Sequence, residues 1–173
     1  MLPETLKSHI GEYPDFPKKG ILFKDISPIL AEPHIFSELI KKMSSREIYA
    51  KSDAIVGIDS RGFIFGSAIA NLLNKPLVLA RKKNKLPGKL IEKDYGLEYG
   101  RDSLSMQLEA IKKYKSFVIV DDLIATGGTA KCVLDLLESE EKIIVGLNVV
   151  IELTSLDAKK NLRCPVYSEI KFD

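Results

Sequence analysis

Two adjacent carboxylates followed closely by a double-glycine turn are the densest chemistry in the chain. Residues 118–130 read VIVDDLIATGGTA: an apolar run, Asp121 and Asp122, a short connection, then Thr126-Gly127-Gly128-Thr129. The pattern predicts a buried strand over 116–120 ending at the acids and a helix over 130–139. Gly127 and Gly128 remove side chains where backbone must approach something closely. The first N–H groups of a helix have no intrahelical partner and lie at the positive end of its dipole. With the hydroxyls of Thr126 and Thr129, such a turn suits a phosphate monoester. Asp121 and Asp122 repel phosphate but accept hydrogen bonds from hydroxyl groups, so they face a different part of the same ligand. A phosphate on one side and a diol on the other describes a ribose 5-phosphate. The plainer reading is a helix start capped by threonine; the adjacent acids at a strand end argue for the ligand site instead.

Other nucleotide signatures are absent. No G-x-G-x-x-G occurs, and Gly57 to Gly62 has the glycine spacing of a Walker loop without the Lys-Ser/Thr that must follow.

The elements that position these residues follow from periodicity. Residues 1–10 read as a short amphipathic helix, and Pro14, Pro17 and Gly20 then break regular structure. Pro33 opens a helix to about Ser45, with Ile35, Phe36, Leu39, Ile40 and Met43 on one face. Residues 53–58 (DAIVGI) form a buried strand, Ser60-Arg61-Gly62 a turn, 63–73 a helix and 76–80 (PLVLA) a second strand. Residues 81–100 are basic and lack a helical period, which predicts a long loop or mobile hairpin, returning as a strand over 102–107. A strand within 142–153, a short helical segment to about Leu162 and a last strand over 166–170 complete the chain. Continuous apolar strands alternating with helices indicate an α/β fold with a mostly parallel sheet flanked by helices.

Composition narrows the function classes. The chain has 173 residues with 26 Lys+Arg against 24 Asp+Glu, a net charge of +2, which makes no general case for a nucleic-acid or membrane partner. The two cysteines, Cys132 and Cys164, are no disulfide framework, and with only two histidines a zinc site is not expected. A reducing, cytoplasmic location fits. Residues 1–20 hold no apolar run of signal-peptide length, and the apolar stretches near 63–73 and 143–153 are too short to span a bilayer.

These residues resemble the type I phosphoribosyltransferases, whose sugar-phosphate loop runs from an apolar strand through two acids to T-G-G-T. Further segments place the resemblance in the adenine-directed branch of that family: residues 15–30 (DFPKKGILFKDISPIL), 56–66 (VGIDSRGFIFG), 85–88 (KLPG), 95–100 (YGLEYG) and 151–155 (IELTS). They occur in order from near one end of the chain to the other. The resemblance implies one phosphoribosyltransferase domain over 1–173, with about 1–32 contributing a small N-terminal hood. It implies transfer of 5-phosphoribosyl from phosphoribosyl pyrophosphate (PRPP) to adenine, giving AMP and pyrophosphate. It also implies Mg²⁺ carried on PRPP rather than by protein ligands, and a homodimer.

Roles follow residue by residue from the same resemblance. Asp121 and Asp122 match the acids on the ribose hydroxyls; Ala125, Thr126, Gly127, Gly128 and Thr129 match the 5-phosphate loop. Ser60 and Arg61 match the loop that meets pyrophosphate, and a guanidinium gives bidentate bonds to phosphate oxygens. Arg81 and Lys85, within a basic cluster with Lys82, Lys83 and Lys89, match residues that approach pyrophosphate, partly across a dimer. Glu98, in Leu97-Glu98-Tyr99-Gly100, matches the catalytic glutamate that manages the adenine proton near N7. Adenine contacts fall to backbone around Leu22, Phe23 and Lys24 and to apolar packing from Phe23, Ala125 and Leu153. Lys24 stands where many relatives have arginine. Two other readings stay open: a phosphoribosyltransferase for another purine base, and a non-catalytic PRPP-sensing regulator. The second fits poorly with a chain that has no length for an added nucleic-acid-binding module.

Overall fold

The computed structural model describes residues 2–97 and 100–173. The chain divides into two compact units, 1–43 and 44–173.

The first unit contains α1 (Leu2–Ser8), β1 (Gly11–Pro14), β2 (Leu22–Asp25), α2 (Ser27–Ala31) and α3 (Pro33–Ser44). β1 and β2 pair antiparallel with Glu12 opposite Lys24 and Tyr13 opposite Phe23. Pro33 opens α3 as expected, since proline at the first helical position costs no hydrogen bond. Leu39, Ile40 and Met43 form its buried stripe.

The second unit runs β3 (Ala54–Ile58), α4 (Gly62–Leu73), β4 (Leu77–Lys82), β5 (Leu90–Leu97), β6 (Gly100–Gln107), α5 (Leu108–Lys112), β7 (Ser116–Ile124), α6 (Gly128–Ser139), β8 (Ile143–Leu153) and β9 (Val166–Phe172). Its strands form one sheet in the order β5-β6-β4-β3-β7-β8-β9. The β4-β3-β7-β8-β9 ladder is parallel, and β5 and β6 add an antiparallel hairpin at the β4 edge. Every residue of β3 is buried, the continuous apolar run expected of a strand covered on both faces. Ala54, Val56 and Ile58 point into a cluster with Phe117, Ile119, Val133, Leu137 and Leu147. α4 packs on the opposite face, where Gly57 meets Phe63 and Gly66.

The chain crosses from β3 to β4 on one side and from β7 to β8 on the other. The sheet order therefore reverses between β3 and β7, and a crevice at the carboxyl ends of those two strands is where open α/β sheets bind ligands. Two segments differ from the sequence reading. β7 runs through the acids to Ile124, because Leu123 and Ile124 pair with Ile151 and Glu152. The hairpin arm β5 is a regular strand despite its charged composition, because it is held in register along the whole of β6, from Leu90–Gln107 to Leu97–Gly100.

Candidate functional site

The carboxyl ends of β3, β4, β7 and β8 bring most of the sequence-predicted residues to one end of the sheet in the second unit. β3 delivers Asp59, Ser60 and Arg61; β4 delivers Arg81; β7 delivers Asp121, Asp122 and the turn 125–129; β8 ends at Leu153. The Asp59–Ser60 peptide bond is cis.

Asp121 and Asp122 are locked at the base of the crevice. The Asp122 N–H donates to Asp121 Oδ1 at 2.9 Å. Arg61 Nε lies 2.8 Å from Asp122 Oδ2, although no donor is aligned on that oxygen for a hydrogen bond. Gly62 abuts the pair from α4: a Cβ there would lie 2.7 Å from the Val120 carbonyl oxygen and 2.9 Å from Asp121 Oδ1. Burial, joined by the Asp122 charge, raises the Asp121 carboxyl well above the usual carboxylate range. Burial also raises Asp122, and the Arg61 guanidinium pulls it back. The two acids thus form a coupled, proton-hungry pair with one cation beside it, suited to gripping hydroxyl groups rather than an anion.

The turn after β7 has the form its sequence implies. Gly127 adopts φ +83°, the left-handed region that favours glycine, and a side chain there would also press to 3.1 Å from the Ala158 Cβ. Gly127 is the residue from which α6 starts, and no side chain caps that end. The threonine-cap reading therefore fails: neither Thr126 nor Thr129 serves the helix as its cap. The segment beneath the turn is held by Glu152, which accepts from Ser168 Oγ at 2.6 Å and pairs with Lys159 at 2.7 Å, one residue past Ala158.

The basic groups are tied down less tightly. Arg81 Nε reaches Asp59 Oδ2 at 3.3 Å, its Nη1 donates to the Lys85 carbonyl at 3.2 Å, and its guanidinium lies over the Phe63 ring. Ser60 and the Lys85 side chain are exposed. In the first unit, the Lys24 ammonium is buried and pairs with Glu12, its cross-strand neighbour. Phe23 stacks edge-on against Phe16 at 5.2 Å between ring centres, and Leu22 is exposed. Glu98 lies outside the described residues.

Sequence reasoning missed three residues that shape this end of the sheet. Asp59 orients Arg81, Gly62 admits Asp121, and Ala158 supports Gly127. Only Gly62 carried a local signal, as the glycine that closes the Ser60-Arg61 turn; the others act through contacts distant in sequence.

Comparison with known proteins agrees with this geometry. Residues 25–170 match the family described as phosphoribosyl transferase domain. The chain belongs to the type I phosphoribosyltransferase family. Among relatives of the family, the adenine phosphoribosyltransferase of Prochlorococcus marinus (strain MIT 9215) is 56% identical over 172 residues, covering 99% of this chain and all of that one. The adenine phosphoribosyltransferase of Mycoplasmopsis pulmonis is 46% identical over 155 residues, 90% of each chain. Among solved structures, the adenine phosphoribosyltransferase of Rhodothermus marinus superposes with a TM-score of 0.92 at 40% identity, covering 99% of this chain and 98% of that one. The Saccharomyces cerevisiae enzyme, solved with an imino-altritol bisphosphate and adenine, gives 0.91 at 39% identity, covering 97% and 98%. The family fold accounts for the mostly parallel sheet flanked by helices.

Proposed function

We propose that the chain is an adenine phosphoribosyltransferase, which transfers 5-phosphoribosyl from Mg–PRPP to adenine and releases AMP and pyrophosphate. The observation that carries this reading is the uncapped turn at the start of α6 standing directly after the Asp121–Asp122 pair at the sheet's switch point. Its occurrence in a chain 56% identical to an adenine phosphoribosyltransferase over 99% of its length selects the base.

In this reading the 5-phosphate rests on Ala125, Thr126, Gly127, Gly128 and Thr129, where backbone N–H groups and the helix dipole favour an anion. Asp121 and Asp122 take the ribose hydroxyls; a carboxylate accepts from hydroxyl groups, and a carboxyl that keeps its proton can also donate to one. Ser60, Arg61, Arg81 and Lys85 receive pyrophosphate, and the departing charge is met by guanidinium and ammonium groups already near the site. Magnesium carried on PRPP, rather than held by protein ligands, would supply charge neutralisation at the pyrophosphate. The family resemblance assigns adenine contacts to Leu22, Phe23 and Lys24 and to Ala125 and Leu153. Glu98 manages the adenine proton as N9 attacks the anomeric carbon in line. Its support is the Leu97-Glu98-Tyr99-Gly100 match alone.

We assign the active form as a cytoplasmic homodimer. The thiols of Cys132 and Cys164 are unpaired with each other, which suits a reducing compartment. No helix among the described residues is long and apolar enough to cross a membrane. The test is stoichiometry: full-length protein with Mg²⁺, PRPP and adenine is expected to yield AMP and pyrophosphate mole for mole. PRPP binding without product from adenine would overturn the assignment, in favour of another base if an oxopurine reacts and of a sensing role if none does.

A further inference from the structure

After β8 the chain doubles back beneath the phosphate turn. Asp157 takes φ +47°, and Ala158–Asn161 then form a single 3-10 turn. Ala158 is buried and bears on Gly127: its Cβ lies 3.1 Å, and its carbonyl oxygen 3.4 Å, from where a Cβ on Gly127 would be. On the other side, the Gly127 carbonyl accepts from the Lys131 N–H at 2.8 Å, within the first turn of α6. The central glycine of the phosphate turn is thus held between α6 and Ala158. Ala158 is fixed in turn by its neighbour. The Lys159 ammonium lies 2.7 Å from Glu152 Oε1, and Glu152 Oε2 accepts from Ser168 Oγ at 2.6 Å. The Glu152 side chain is 8% exposed and that of Lys159 44%, so a rooted carboxylate near the end of β8 grips a cation that comes to it from the surface.

A carboxylate repels phosphate, so Glu152 is of no use to the ligand as a charge; its use is mechanical. We propose that Glu152 is a positioning residue for the 5-phosphate turn: through Lys159 it holds Ala158 against Gly127 and so sets the backbone that receives the phosphate. The proposal rests on the reading of residues 125–129 as the phosphate turn. Backbone N–H groups bind an anion well only when they are held in place beforehand, since ordering them on binding costs affinity. The link runs from Ser168 on β9 through Glu152 on β8 to Lys159 and Ala158, and each step is a direct contact. Breaking a link of this kind, away from the ligand itself, is expected to weaken phosphate binding by about 3- to 10-fold. The sign separates positioning from charge. Acting through space, loss of the Glu152 charge would tighten an anion and loss of the Lys159 charge would loosen it. Acting through the link, either loss loosens it.

The experiment is calorimetric titration of the full chain with ribose 5-phosphate, an unreactive probe of the turn. The proteins are wild type, Glu152→Gln, Lys159→Met, the double variant, Lys159→Arg and Thr126→Ala. Glu152→Gln keeps an acceptor for Ser168, and Lys159→Met changes only the exposed end of the link, so the test survives if the buried variant folds poorly. Positioning predicts that each single variant binds ribose 5-phosphate about 3- to 10-fold more weakly than wild type. It predicts that the double variant is no worse than either single one, and that Lys159→Arg restores binding. The PRPP KM is expected to rise by the same factor with kcat nearly unchanged. Tighter binding by Glu152→Gln with weaker binding by Lys159→Met would overturn the proposal in favour of charge acting through space. A lowered Tm in either variant with unchanged ribose 5-phosphate affinity would overturn it in favour of a purely structural pair. Affinity that is indifferent to Thr126→Ala would overturn the reading of the turn itself, and the proposal with it.

Discussion

Gly62 and Asp121 are packed so closely that a single methyl group on the glycine would stand 2.9 Å from the carboxylate oxygen. The same methyl would meet the Val120 carbonyl at 2.7 Å, and backbone cannot swing aside as a long side chain can. The first residue of α4 thus sets the position of the acid pair on β7, across the crevice between two parallel strands.

Gly62→Ala is expected to cost about 1–3 kcal/mol of stability, the range for overpacking a well-filled interior. Because the displaced atoms carry Asp121, the PRPP KM is expected to rise as well. Urea denaturation and initial rates at varied PRPP check both; an unchanged KM would mean the acid pair absorbs the shift.

Asp121 carries a pH signature. Its folded-state pKa is raised by burial and by the Asp122 charge, so the folded chain holds the proton to higher pH than the unfolded chain does. Its contribution to stability is fully present below the ordinary aspartate pKa and is lost as pH rises through the raised folded value. The fold is therefore weakened as rising pH ionises this carboxyl. Asp121→Asn keeps an acceptor for the Asp122 N–H and removes the charge, so its Tm relative to the parent is expected to rise with pH, by about 2–4 °C once the carboxyl is ionised, while PRPP binding weakens. Thermal scans from pH 4 to 8 check the sign: the variant's advantage should grow with pH.

Thr126 separates a phosphate ligand from a helix cap. It is exposed and no side chain caps α6. Thr126→Ala is expected to leave stability within about 0.5 kcal/mol, whereas loss of a capping threonine costs about 1 kcal/mol. PRPP affinity is expected to fall. Denaturation midpoints together with PRPP titration distinguish the two roles.

Glu98→Gln removes the proposed proton carrier and keeps its size. It is expected to lower kcat about 10²-fold or more with PRPP affinity nearly unchanged. Single-turnover rates with adenine, alongside PRPP binding, check this, and an unchanged kcat would remove Glu98 from the role.

Where the sequence was legible, the reason is local. β3 and β7 are apolar runs long enough to be recognised, and Pro33 and the Gly127-Gly128 pair mark helix starts by their own backbone chemistry. The acid pair followed by T-G-G-T is likewise contiguous, so its place between a strand and a helix start is legible in the chain alone. What could not be read is held together across the chain. β5 carries Glu92, Lys93 and Asp94 in succession, with no apolar alternation to announce a strand; its register comes from β6 and its anchor from Asp135 on α6. β1 is four residues with an almost wholly exposed pattern, formed only because β2 lies opposite. Arg61 beside Asp122 and Asp59 beside Arg81 are pairings between residues tens of positions apart, and no spacing rule encodes them.

The central claim is tested most directly by offering the purified protein Mg²⁺ and PRPP with adenine, hypoxanthine, guanine or xanthine in parallel, and measuring nucleotide and pyrophosphate. Formation of AMP from adenine, with the three oxopurines inert, is the predicted result. Equal or faster turnover of an oxopurine would contradict the adenine assignment while leaving the sugar-phosphate site in place.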